Sequence, residues 1–222
     1  MCGRFAFFSP REAVQELFGV ECPGELEPRY NIAPTQPVAA LRAGEAATPE
    51  FAMLRWGLVP GWAKDPAIGN RLINARLETA ADKPAFRTAF RRRRCAVLAD
   101  GFYEWQVQPD GPKQPWFITT AGGGPFLMAG LWEHWDKGVA PMQSCTLLTT
   151  EATGDMRQVH GRMPVILPRQ ALEPWLTAAG SDGALEVLDS LGNIELRMQP
   201  VSRAVNSPAH EGADLIRPIS GA

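Results

Sequence analysis

The chain has 222 residues, 22 Lys+Arg against 24 Asp+Glu, a formal net charge of -2, 45% hydrophobic and 21% charged residues. That balance excludes a disordered, collagen-like or coiled-coil chain, and the length suits one α+β or all-β domain of roughly 200–250 residues. No stretch reaches the ~18 uncharged apolar residues of a membrane span, and Arg4, Arg11, Glu12 and Glu16 stand where a signal peptide needs an apolar core; a cytoplasmic protein without membrane contact is expected.

Ser9-Pro10-Arg11-Glu12 sets a cap hydroxyl, a Pro at the first helical position and a Glu three residues after the cap, ahead of Val14, Leu17, Phe18 and Gly19. This predicts a short amphipathic helix. Because it begins so early, residues 2–8 are expected to form a tied-down strand. Residues 29–34 read as a Pro-rich loop, and the apolar runs 38–41 and 51–59 as strands. A second helix is predicted over 82–93, with Phe86 and Phe90 on one face and arginines toward its C-terminal end, where cations suit the dipole.

Further short strands are predicted at 95–99, 101–107, 116–119, 126–132, 144–149 and 164–167, punctuated by Gly, Pro and Asp. Residues 122–124 read as a hairpin turn, since neither Lys-Ser/Thr nor a helix follows to make a phosphate loop. Helical patterns return at 169–177 and 184–191. Strands and helices therefore do not alternate as βαβ units require. The expected fold is α+β, a single domain over 1–222 with a curved, barrel-like, mainly antiparallel β core flanked by a few helices.

Charge is unevenly spread. Residues 55–105 hold ten Lys/Arg and five Asp/Glu, +5, leaving twelve and nineteen, -7, elsewhere. The middle of the chain is thus the candidate for holding a polyanion. Arg91 to Arg94 are four consecutive positives, read mainly as a solvated helix end with nucleic-acid contact as the alternative. Cysteines at 2, 22, 95 and 145 show no C-x-x-C pair and no His at ligand spacing, so reduced thiols are expected, with no metal, disulfide or other cofactor.

Cys2 follows a removable initiator methionine. Removal of Met1 leaves a 1,2-aminothiol, with an amine of pKa near ~7.7–8.0 and a thiol near ~8.5, so both are partly nucleophilic at neutral pH in an ordinary environment. Such a group condenses with an aldehyde to a Schiff base and then a thiazolidine. Glu104, in Phe102-Tyr103-Glu104-Trp105, alternates onto the face opposite Tyr103 and Trp105, and an aromatic setting invites a raised pKa suited to proton shuttling. Against this stands an ordinary solvated strand glutamate. His160, before Gly161-Arg162-Met163-Pro164, is an acid/base candidate weighed against a surface histidine. Asn74 and Arg76, in Leu72-Ile73-Asn74-Ala75-Arg76, offer an amide for a substrate oxygen and a charged grip on phosphate, weighed against a turn and a surface cation. Trp62, flanked by Pro60 and Gly61, is a stacking candidate.

Met1-Cys2-Gly3-Arg4-Phe5, Arg29-Tyr30-Asn31-Ile32-Ala33-Pro34, Trp56-Gly57-Leu58-Val59-Pro60-Gly61-Trp62, Asn74-Ala75-Arg76-Leu77-Glu78-Thr79, Gly101-Phe102-Tyr103-Glu104-Trp105 and His160-Gly161-Arg162-Met163-Pro164 together resemble the SRAP (SOS response-associated peptidase) family of abasic-site processing proteins, from residue 2 to about 175. The resemblance implies a sensor of abasic sites in single-stranded DNA, acting as a monomer near DNA in the cytoplasm. It would crosslink Cys2 to the ring-opened deoxyribose, with Asn74 beside the sugar, Glu104 in proton transfer and His160 in ring opening and reversal. Arg4, Arg76 and Arg162 would hold the DNA backbone and Trp62 would wedge near the lesion; the peptidase label fits removal of Met1. Ala63 and Gly161 depart from some members, which carry a second Trp and a polar residue there. An N-terminal-nucleophile glutamine amidohydrolase, which also begins Met-Cys-Gly, and a non-covalent single-strand binding module are the alternative readings.

Overall fold

Short apolar runs that cannot bury themselves locally must pair at long range. In the computed structural model, which describes residues 2–219, they do so in two sheets. The first half of the chain supplies β1 (Phe5–Phe7), α1 (Arg11–Phe18), β2 (Arg29–Ile32), β3 (Pro37–Ala43), β4 (Pro49–Trp56), β5 (Asn74–Arg76), α2 (Leu77–Ala80), α3 (Arg87–Arg92), β6 (Arg94–Ala99) and β7 (Gly101–Gln106). Then come β8 (Gln114–Thr120), β9 (Phe126–Trp135), β10 (Met142–Glu151), α4 (Met156–Val159), β11 (Arg162–Pro164), β12 (Ile166–Leu167), α5 (Leu172–Thr177), α6 (Gly180–Asp189) and β13 (Leu196–Pro200).

The fold is α+β, as expected. One sheet is antiparallel, in the order β13-β8-β7-β1-β2. In the other, β10-β4-β3-β6-β9 close into a ring because β9 also pairs with β10. Two pairings in the ring sheet are parallel, β10 with β4 and β10 with β5. The main core spans both sheets. Phe5 meets Trp56 edge-on at 5.1 Å between centroids, and each such buried side chain contributes about 1.5–3 kcal/mol. A second cluster, with Ala6, Tyr103 and Phe117, lies on the other face of the five-stranded sheet under Val201, Val205 and Leu215.

Several expectations are corrected. Residues 29–32 are strand β2, not loop, and β13 was not foreseen. The helix predicted over 82–93 shortens to α3, which begins only after Phe86, a non-helical cap residue at φ -120. Ser9 does not cap α1; its hydroxyl donates to Asp100 Oδ1 at 2.5 Å, and Pro10 stands at the cap. The 122–124 turn is no hairpin, since it leads from β8 in one sheet to β9 in the other. Strand β4 stops at Trp56 because Gly57 turns at φ +124, where a Cβ would lie 2.6 Å from the Gly69 carbonyl oxygen. The strand predicted over 164–167 splits, β11 pairing with β10 and β12 with β9. The second late helix begins earlier than predicted, as α6.

Candidate active site

Cys2 is fully buried at the entry to β1. Strand β1 pairs with β7 in a register that sets Phe5 opposite Phe102, and Tyr103 N–H donates to Arg4 O at 2.9 Å. Continued toward the amino end, that register sets Gly3 opposite Glu104, with Cys2 next to it in the chain. Alternation along β7 sends Tyr103 to the second cluster and Phe102 to the main core, so Glu104 shares the Phe102 face, buried as an inward strand residue must be.

Asn74 arrives from the ring sheet. Trp56 Nε1 and Leu147 N–H both donate to Ile73 O, at 2.9 and 3.1 Å, and β5 pairs with β10 with Asn74 opposite Leu147. From there Asn74 Nδ2 donates to Cys2 O at 2.7 Å. Asn74 Oδ1 is buried and has no hydrogen-bond partner among the described residues, an acceptor without a donor.

His160 follows α4, which packs against β7; Gln106 Nε2 donates to Gln158 O at 3.0 Å across that contact. The backbone N–H of Arg162 donates to His160 Nδ1 at 3.0 Å. Nδ1 also lies 3.1 Å from the Arg162 carbonyl oxygen, so the Arg162 backbone holds the ring in either tautomer.

Electrostatics tie Cys2, Glu104 and His160 together, as the hydrogen bond to Cys2 O ties Asn74. Burial pushes the Cys2 thiol far above the usual thiol range, and the Glu104 carboxylate adds to the push. Burial likewise raises the Glu104 carboxyl above the ordinary carboxylate range, while nearby positive charge, that of His160 included, works the other way. The thiol is therefore protonated at neutral pH. This corrects the expectation from ordinary pKa values that a useful thiolate fraction is present without special surroundings. Met1 lies outside the described residues.

The remaining residues divide. Arg76 is exposed on β5. Arg162 forks onto Glu78, Nη1 to Oε1 at 2.6 Å and Nη2 to Oε2 at 2.9 Å, and Nη2 also donates to Thr149 O at 2.6 Å. Arg4 is half-buried, its Nη1 donating to Asn31 Oδ1 at 2.6 Å and Val205 O at 2.7 Å. Trp62 is 55% exposed, and its hydrogen bonds among the described residues run to Pro84 and Lys137. Of the arginine run, Arg91 and Arg92 are exposed, Arg93 pairs with Glu133, and Arg94 is 4% exposed, donating to carbonyls of Phe90, Arg91, Trp175 and Ala178. Arg94 thus closes helix ends from inside.

Sequence reasoning assigned no role to Glu78, Asn31, Thr149 or Asp100. Glu78 and Asn31 lie inside quoted motifs; for Thr149 and Asp100, whose partners are brought by the fold, no local signal existed. Among the described residues there is no group of three or more His, Cys, Asp or Glu able to hold a metal, and no helix long and apolar enough to cross a membrane.

Over residues 1–208 the chain matches the family described as SOS response associated peptidase (SRAP). It is 37% identical over 222 residues to a Bacillus subtilis (strain 168) protein named abasic site processing protein YoaM, with 97% of each chain covered. To the Escherichia coli (strain K12) abasic site processing protein YedK it is 33% identical over 235 residues, covering 99% of this chain and 100% of that one. A crystal structure of a Bacteroides thetaiotaomicron protein superposes with a TM-score of 0.85 at 21% identity, covering 98% of this chain and 100% of that one, a likeness of fold alone.

Proposed function

Because the chain belongs to the SOS response associated peptidase family, we propose that it senses abasic sites in single-stranded DNA and joins itself to them through Cys2. The names of the relatives support the abasic-site half of this reading. The covalent half rests on one observation: Asn74 Nδ2 holds the Cys2 carbonyl at 2.7 Å, while the Cys2 thiol feels the charge of Glu104, which feels that of His160.

Removal of Met1, in keeping with the family's peptidase label, leaves the Cys2 amine as the first nucleophile, because the buried thiol holds its proton. The amine attacks the aldehyde carbon of the ring-opened deoxyribose, and loss of one water gives a Schiff base. The positive charge of the protonated imine then favours thiolate beside it. Sγ bonds to the same carbon as the C=N electron pair moves onto the nitrogen, which keeps the imine's proton; the thiol proton goes to the Glu104 carboxylate, and a five-membered thiazolidine closes. A carboxyl poised between its two forms serves both the acid and the base step. His160, its ring held by Arg162, opens the sugar and assists reversal; Asn74 Oδ1 accepts from a sugar hydroxyl. Arg76, Arg162 and Arg4 hold the backbone, and exposed Trp62 stacks on a base.

Denaturing electrophoresis after incubation with an abasic oligonucleotide tests the reading. The parent chain gives a shifted band; Cys2→Ala gives none, while retaining weaker non-covalent binding. A shifted band of unchanged yield from Cys2→Ala contradicts the assignment.

A further inference from the structure

The proposed reaction leaves Glu78 without a task, although it lies between two of the arginines assigned to DNA. Its carboxylate fills both arms of the Arg162 fork, at 2.6 and 2.9 Å, in the parallel two-bond geometry that guanidinium also makes with phosphate. Arg76 stands two residues away, and both cations hold the Glu78 carboxyl below the ordinary carboxylate range, the hydrogen bond from Arg162 foremost. Three charges thus leave a net +1 where two free arginines would present +2.

The pair is built to exchange. Glu78 is 47% exposed, so water can take over its carboxylate, and an ion pair so placed contributes little to stability. The Arg162 side chain is only 17% exposed, and its bond to Thr149 O keeps the fork aimed after the carboxylate leaves. Arg94 is the contrast, since neutral carbonyls hold it and, among the described residues, it has no charged partner to be displaced.

We infer that Glu78 occupies the Arg162 fork in the place of a DNA phosphate, so that single-stranded DNA engages Arg162 by displacing a carboxylate of the protein's own. This rests on the reading of the chain as a single-stranded DNA binder. The effect is discrimination: an isolated anion gains little by the exchange, whereas a strand that also reaches Arg76 and releases counterions drives it.

The test measures binding of a lesion-free single-stranded oligonucleotide against salt for the parent chain, Glu78→Gln and Glu78→Ala. Both variants bind about two- to fivefold tighter at low salt. Their slope of log K against log salt steepens by up to about 0.7, because the carboxylate that the parent frees takes up a cation and offsets the one released at the Arg162 phosphate. Adding Glu78→Gln to Arg162→Gln changes neither quantity. Weaker binding or an unchanged slope in the Glu78 variants overturns the inference. Adduct formation on an abasic oligonucleotide is read with the same proteins: absence of adduct in the parent chain defeats the functional reading, whereas adduct with an unchanged slope defeats only the role of Glu78.

Discussion

At Glu104 the setting that suits a proton carrier also costs stability. Its folded-state carboxyl titrates above the ordinary carboxylate value, chiefly through burial. Between those two pH values the folded chain keeps a proton that the unfolded chain has shed, so stability is full below the ordinary value and is lost as pH rises through the raised one. Glu104→Gln therefore melts higher than the parent at neutral pH, by about 2–4 °C for each kcal/mol relieved, and the gap closes in acid. The same variant forms adduct about a hundredfold or more slowly. Thermal melts at two pH values alongside adduct kinetics check both; a variant less stable than its parent at neutral pH contradicts the burial account. Cys2, Asn74, Glu104 and His160 were singled out as candidates from residue type and context. The thiol's protonation was not, because it depends on burial that no dipeptide encodes.

The corner between β6 and β7 shows how elements carry Cys2 to its neighbours. Asp100 Oδ2 accepts from the N–H groups of Phe8 and Ser9, both at 2.7 Å, pinning the end of β1 where the chain passes from ring to second sheet. Next to it, a Cβ on Gly101 would lie 2.2 Å from Phe117 Cζ, so ring and backbone share space that only glycine leaves. Gly101→Ala forces that ring or β7 aside, costs about 1–3 kcal/mol and slows adduct formation through the displaced β1. Denaturant midpoints and adduct rates measure this, and an unchanged midpoint contradicts it. Local pattern found α1 and most strands, yet missed β2, β5 and β13. A four-residue strand amid prolines and a three-residue strand have too little length for alternation to show. The parallel pairing of β5 with β10, which delivers Asn74, is a property of topology alone. Arg94 misled for a related reason: a cation in a basic run looks solvated until Trp175 and Ala178 arrive to be capped.

Over the whole molecule, the surplus of positive charge in residues 55–105 is divided between inside and outside. Arg94 and Arg93 are taken up by carbonyls and Glu133, and Arg162, beyond that stretch, by Glu78, while Arg76, Arg91 and Arg92 remain exposed. Formal charge along the sequence located the basic region without telling which cations face solvent. The α+β class was legible from the lack of alternation between strands and helices; closure of the ring through β9 and β10 was not, since β10, paired with β9 across a turn, also takes β4 far upstream as a parallel partner. The proposed function makes Cys2, after removal of Met1, the reacting group. The most direct test is the intact mass of the purified protein before and after exposure to an abasic single-stranded oligonucleotide. The account predicts a chain lacking Met1 that gains the mass of the oligonucleotide less one water. A chain that retains Met1 and still forms the adduct, or a gain without loss of water, contradicts it.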